Sequence, residues 1–342
     1  MKAFYITGPK QSALGDILVP TPGPEDVLLR TRIVGMCGSD LNTFRGSNPM
    51  VTYPRIPGHE IAATIEEVGS QVPSDFRPGM DVTLSPYTSC GTCASCRRLR
   101  PNACQFNQTL GVQRDGAMTS YFVAHWSKLY ASHGLGLRDL NLVELSLVEP
   151  LSVGFHAAAR GRVRPSDAVL VLGCGTVGLG AIAASAFAGA KVIACDLDDH
   201  KLALAQEAGA SLTIHSGRQP VLEAARELTG GLGPDVVIEA IGLPETFQMA
   251  VDVVAFTGRV VYVGYAKQPV SYETKLFVQK ELDILGSRNA LDEFPTVIAM
   301  LQQGTFPVAK VISMTTNLAG AGPALTAWSE NPQAFSKILI EM

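Results

Sequence analysis

Six residues, Gly173-Cys174-Gly175-Thr176-Val177-Gly178, constrain this chain more than any other feature. They directly follow the apolar run 168–172 and open an Ala-rich stretch, so the chain must pass from a strand through a tight turn into a helix. In this pattern Gly173 permits the turn, Gly175 lets the backbone approach a pyrophosphate, and Gly178 lets helix and strand pack closely. Thr176 and Val177 complete the helix N-terminus, whose free N–H groups suit phosphate. Asp196, 23 residues after Gly173 at the end of the next apolar run, is placed to accept from a ribose 2′-hydroxyl and to repel a 2′-phosphate. Asp198 and Asp199 add to that repulsion, which favours NAD over NADP; the competing role for Asp196 is a helix N-cap.

The rest of the chain takes its organisation from this point. Apolar runs at 169–172, 191–195, 212–214, 236–239, 259–263 and 282–285 alternate with helical segments, predicting six parallel strands covered on both faces, an α/β Rossmann domain over 150–286. Residues 1–149 instead show short alternating runs broken by turns such as Thr21-Pro22-Gly23-Pro24, so this part reads as β-rich. After a helical stretch at 293–303, the strand-like Lys337-Ile338-Leu339-Ile340 is too short a tail for its own domain. It is expected to return to the first domain, giving 1–149 with 287–342.

With 342 residues, 27 Lys+Arg against 31 Asp+Glu and a net charge of −4, the chain has no basic excess for nucleic acid or a membrane surface. The uncharged run 168–190 imitates a membrane span, but its five glycines and many alanines make it weakly hydrophobic. The apolar start breaks at Gly8-Pro9, too early for a secretory leader, so a cytoplasmic setting is expected.

Four of the seven cysteines, Cys90, Cys93, Cys96 and Cys104, are spaced to point four thiolates at one ion, a closed structural zinc site in a lobe at about 88–106. A disulfide pair or free thiols are the competing readings. A third constellation is dispersed: Cys37, His59, Glu60 and Glu149 offer soft, borderline and hard ligands for a mixed, open zinc site. Spacing does not show that they meet. Singly, a buried small residue, a loop histidine and a capping carboxylate explain them.

Gly35-Met36-Cys37-Gly38-Ser39-Asp40, Pro57-Gly58-His59-Glu60, the four-cysteine lobe, Glu149-Pro150-Leu151-Ser152-Val153-Gly154 and the glycine turn occur in the order found in zinc-containing medium-chain alcohol and polyol dehydrogenases. The chain resembles that family along essentially its whole length, and within it the sorbitol dehydrogenase-like branch, because Glu149 stands where other alcohol dehydrogenases carry a zinc-ligating cysteine. Tyr53-Pro54-Arg55 and Gly286-Ser287-Arg288-Asn289-Ala290 are similar to bacterial L-galactonate or L-gulonate 5-dehydrogenases.

The resemblance implies a GroES-like β-rich catalytic domain beside the Rossmann domain, with nicotinamide and substrate between them. It implies NAD and two zinc ions per chain, with Cys37 and His59 as catalytic zinc ligands and Glu60 and Glu149 as ligand or exchanging near-ligand. Ser39 relays the substrate proton and Asp40 orients a ligand. Leu41-Asn42 replaces the residue and histidine that often follow Cys-Gly-Ser-Asp in relatives, so no imidazole continues the relay there. The implied substrate is a sugar acid such as L-galactonate or L-gulonate, or else a polyol, oxidised at a secondary hydroxyl. A carboxylate calls for an arginine: Arg288, with Asn289 beside it, is the first candidate, and Arg45, Arg55 and Arg114 are weaker ones. His156 is expected to pack. A homotetramer or homodimer is expected, with 259–263 and 282–285 as the pairing edge. An NAD-binding regulatory protein without turnover and a zinc-free reductase are the competing classes, and neither needs the combined set Cys37, Ser39, His59, Glu60 and Glu149.

Overall fold

The computed structural model describes residues 1–132 and 138–342. Its chain divides into two units: Met1–Glu149 with Phe294–Gln302 and Val308–Met342, and Pro150–Glu293 with Gln303–Pro307. Residues 287–293 and 303–307, expected in the first domain, therefore belong to the second unit. The chain continues past its last parallel strand before it returns.

In the first unit β1 (Lys2–Gly8) and β2 (Gln11–Asp16) form an antiparallel pair. Then come β3 (Asp26–Met36), β4 (Glu60–Val68), β5 (Asp81–Leu84), β6 (Tyr121–His125) and β7 (Leu129–Ala131). Six residues from Glu60 to Ile65 are buried in β4 while Glu66 and Glu67 reach solvent, so this strand runs out of the core. Val27, Leu29, Val34, Met36, Ile61 and Ile65 share a core with Phe4, Ile6 and Leu325. The central strand β3 pairs with both β4 and the C-terminal strand, in registers that decide the site below.

The second unit holds β8 (Ala168–Leu172), β9 (Lys191–Asp196), β10 (Leu212–His215), β11 (Val236–Glu239), β12 (Arg259–Tyr262) and β13 (Asp283–Gly286). All pair in parallel in the order β10-β9-β8-β11-β12-β13. The near-continuous burial of β8, β9 and β11 is what a sheet covered on both faces demands. Residues 259–263 are not part of an edge as expected, because β12 lies between β11 and β13; β13 alone ends that side of the sheet.

Back in the first unit, β14 (Ile312–Asn317) runs parallel to β15 (Lys337–Glu341), which is antiparallel to β3. Among the described residues one helix, Leu142–Arg160, is long and apolar enough to cross a membrane, but 78% of its apolar window is buried within the protein.

Candidate functional site

Cys37 follows β3 and caps the helix Gly38–Phe44. Asp40 Oδ2 accepts from the Cys37 backbone N–H at 2.9 Å, so Cys-Gly-Ser-Asp is locally a helix start that fixes where the thiol emerges. His59 immediately precedes β4 and Glu60 begins it. One ligand atom from each of Cys37, His59 and Glu60 lies within 4.8 Å of the others. His59 and Glu60 are 5% and 1% exposed, and among the described residues buried His59 Nδ1, Ser39 Oγ and Asp40 Oδ1 have no hydrogen-bond partner. A thiol, an imidazole and a carboxylate converging with an orphaned ring nitrogen fit zinc in their donor chemistry. Burial alone would lower the His59 pKa, yet the Cys37 thiol, Asp40 and Glu149 together push it well above the ordinary imidazole range. A positive charge is therefore favoured at this spot.

Sheet register brings in a residue that no motif announces. Gly35 pairs with Glu60 on one side of β3, while Met36 pairs with Ile338 on the other. A Cβ on Gly35 would stand 2.2 Å from Glu60 Oε2, so only glycine lets the carboxylate pass across β3. It meets the Lys337 ammonium, which donates to both Glu60 oxygens at 2.7 and 2.6 Å and to Met36 O at 3.1 Å. Burial disfavours the Lys337 charge, but Glu60, Cys37 and Glu149 outweigh it and raise its pKa. The available sequence signal was a lysine leading an otherwise apolar strand, since a buried lysine needs a partner.

Glu149 does not join the compact group. It is buried, accepts a short hydrogen bond from the Tyr87 hydroxyl, and is felt electrostatically by His59, Glu60 and Lys337. Burial is the main cause that raises its pKa, and burial with the Glu149 charge drives Tyr87 well above the phenol range. Tyr87 was not foreseen from the sequence, because a tyrosine before a cysteine lobe carries no metal-ligand signature.

The lobe cysteines also converge: the Sγ atoms of Cys90, Cys93, Cys96 and Cys104 all lie within 4.8 Å of one another. Backbone N–H groups of Cys93 and Cys90 donate to Cys90 Sγ and Cys104 Sγ at 3.3 Å each, and that of Phe106 donates to Cys104 Sγ at 3.3 Å. The Ser95 hydroxyl and nearby backbone N–H groups bring the Cys93 thiol down to about 5. N–H donors aimed at sulfur favour thiolates, the form that binds metal.

In the second unit the glycine turn has the strain its spacing implies. Gly173 has φ +95°, and a Cβ on Gly178 would stand 1.9 Å from Gly173 O, against backbone that cannot move aside. Gly175 caps the helix Thr176–Phe187, and a Cβ there would meet nothing within 4 Å, leaving the helix N-terminus open to phosphate. Asp196 ties β9 to this turn, accepting from the Cys174, Leu197 and Asp198 N–H groups at 2.8, 2.7 and 3.2 Å. The helix cap after β9 is Asp198, not Asp196. Asp199 forms a bidentate pair with Arg218 at 2.9 and 2.6 Å, which offsets its expected repulsion of a 2′-phosphate.

Arg288 and Asn289 lie two and three residues beyond β13, with Asn289 in the left-handed region at φ +55°. His156, with 3% exposure, pairs through Nδ1 with Glu293 at 2.7 Å and so packs as expected. Arg45 is tied to Ser329 by hydrogen bonds of 3.0 and 2.6 Å, and Arg55 to Asp115 at 2.9 Å, which commits both to holding the fold.

Residues 23–133 match the alcohol dehydrogenase GroES-like domain and residues 176–303 the zinc-binding dehydrogenase domain. The chain is 30% identical to L-galactonate-5-dehydrogenase of Escherichia coli K12 over 89% of its length and 88% of the relative's. It is 33% identical to sorbitol dehydrogenase of Bacillus subtilis, covering 89% and 86%. The solved structure of the RspB alcohol dehydrogenase of E. coli CFT073 with NADH superposes with a TM-score of 0.90 at 30% identity, covering 100% of this chain and 99% of that one. With a GroES-like sheet carrying the Cys37–His59–Glu60 group and a six-stranded Rossmann sheet carrying the glycine turn, the chain belongs to the zinc-containing, NAD(P)-dependent medium-chain dehydrogenases of the polyol and sugar-acid type.

Proposed function

We propose that this enzyme oxidises a secondary hydroxyl of a sugar acid, an aldonate such as L-galactonate or L-gulonate, to the ketone, with hydride passing to NAD and one proton to solvent. The convergence of Cys37, His59 and Glu60 on one point carries this reading. Zinc at that point would lower the pKa of the substrate hydroxyl. Cys37 and His59 would hold the ion. Glu60, which converges with them while paired to Lys337, and Glu149, steadied by Tyr87, would serve as ligand and exchanging near-ligand. Asp40 orients the loop through the Cys37 N–H, and Ser39, whose buried Oγ has no partner among the described residues, takes the substrate proton outward. Gly173, Gly175, Thr176, Val177 and Gly178 receive the pyrophosphate and Asp196 the ribose, which supports NAD over NADP. Arg288 and Asn289 are the substrate-binding residues of the second unit. The exposed edge of β13, where Ile284 is 39% exposed, supports a homodimer or homotetramer.

NAD reduction, followed by absorbance of the reduced nicotinamide, is expected with aldonates and to be abolished by a zinc chelator. The sorbitol dehydrogenase relative favours polyols as the second reading. Activity on polyols alone selects it, and undiminished rates in an ion-stripped enzyme reject the zinc assignment.

The lobe cysteines act separately, as a second, structural zinc site. Cys93→Ser is expected to cost one zinc per chain and to lower Tm by about 5–10 °C, the scale of a few kcal/mol in a protein of this size. Metal analysis and calorimetry check it; an unchanged zinc content and Tm reject the lobe as a metal site.

A further inference from the structure

Residues 111–116 form a loop pressed onto the segment that delivers His59. Gly116 N donates to Ile56 O at 2.7 Å, Ala117 N to Gly58 O at 3.0 Å and Met118 N to Pro57 O at 3.0 Å. A Cβ on Gly111 would stand 2.5 Å from Gly58 N. The loop therefore lies in van der Waals contact with the residue preceding His59, and Arg114 closes its turn, its backbone O accepting from Gly111 N at 2.8 Å.

The same loop is stitched to the approach of Tyr87. Leu110 bridges to Arg114, and Leu110 N donates to Pro86 O at 3.1 Å. Ser85 N donates to Lys128 O at 2.9 Å. Lys128 is thus anchored to Ser85, and the Arg114 loop, through Leu110, to the adjacent Pro86, next to the tyrosine that holds Glu149.

Both side chains are half-buried, and among the described residues neither has a carboxylate within ion-pair distance. The Arg114 Nε is fully buried without a hydrogen-bond partner among the described residues. The carboxylate next in sequence, Asp115, is committed elsewhere, to Arg55 Nη1 at 2.9 Å and Ile56 N at 3.1 Å. Burial lowers the Arg114 pKa, and burial together with the Arg114 charge lowers that of Lys128. Two half-buried cations without a carboxylate partner among the described residues, one of them with a fully buried and unpartnered Nε, cost folding free energy, and such an arrangement marks a place where a ligand supplies the missing charge.

We propose that Arg114 and Lys128 receive the anionic group of the substrate, a carboxylate or a phosphate, beside the centre formed by Cys37 and His59. This deepens and rests on the reading above, to which it adds the requirement for an oxyanion and the residues of the first unit that bind it.

The test compares L-galactonate, sorbitol and sorbitol 6-phosphate with the wild-type holoenzyme and the variants Arg114→Gln, Arg114→Lys, Lys128→Gln and Arg288→Ala. Arg114→Gln is expected to raise KM for the anionic substrate by about tenfold to a hundredfold, the loss of a charge-assisted hydrogen bond, with KM for sorbitol unchanged. Lys128→Gln should act in the same direction and Arg114→Lys should recover part of the affinity, a pattern that general destabilisation does not produce. Calorimetric titration of each anion into the enzyme with NADH gives a readout independent of turnover. Whichever anion loses affinity identifies carboxylate or phosphate as the group bound. If Arg288→Ala raises KM for the anion and Arg114→Gln does not, the second unit receives the charge; this inference falls and the reading above stands. Wild-type oxidation of sorbitol alone likewise overturns it and leaves a polyol dehydrogenase. Failure of all three compounds to reduce NAD or to bind removes this inference and the reading together.

Discussion

Cys37→Ser is expected to lower kcat/KM at least about a thousandfold, the scale of several kcal/mol that a polarising metal contributes. Serine is itself a good helix N-cap, so the helix Gly38–Phe44 and the Asp40 contact to the residue-37 N–H are retained while the soft ligand is lost. The fingerprint of the second unit is untouched, and NADH, titrated by its fluorescence, should bind within a few-fold of wild type. Zinc should fall from two ions to one per chain, with the lobe ion kept. A variant that retains full turnover would refute the assignment of Cys37; one that loses NADH binding as well would show a defect wider than the ligand.

Lys337→Met is expected to destabilise the first unit by about 3–5 kcal/mol, because it strands the Glu60 carboxylate, 1% exposed, without its counter-charge. The pair itself is not a large source of stability, since desolvation consumes most of its Coulomb attraction; its removal by halves is what costs. Lys337→Met with Glu60→Gln should therefore recover much of the loss, and denaturant unfolding of the two single variants and the double variant checks this. A single variant as stable as wild type would mean that Glu60 finds another partner or a proton. The same pair bears on chemistry: Glu60 held by Lys337 keeps negative charge beside His59 without a ligand of its own having to move.

The relation between sequence and structure differs from site to site. The glycine turn was legible in full, because its requirements are local: a positive φ at Gly173, an open Gly175 and a helix that touches the Gly173 carbonyl at Gly178. The cysteine lobe was legible for the same reason, as Cys90, Cys93, Cys96 and Cys104 fall in one short loop whose own N–H groups turn toward sulfur. The Arg218 partner of Asp199 was not legible, because it lies 19 residues away and meets Asp199 only after β10 is laid beside β9. The boundary expected at residue 286 lies seven residues later, at Glu293, because the loop after the last strand carries no composition change to mark it.

By itself, the sequence determined the order of parallel strands and helices, the nucleotide turn and the four-thiol lobe, all set by short-range sterics and spacing. Residue types at 37, 59, 60 and 149 supplied ligands without a place to meet. Tertiary structure alone decided that Lys337, 277 residues from Glu60, neutralises it, that Tyr87 holds Glu149, and that Arg55 takes Asp115 and leaves Arg114 without a carboxylate partner among the described residues. The physical reason is register. Which side chains meet across β15, β3 and β4 depends on long-range pairing that buries one face of each strand, and no local pattern in the chain encodes that choice.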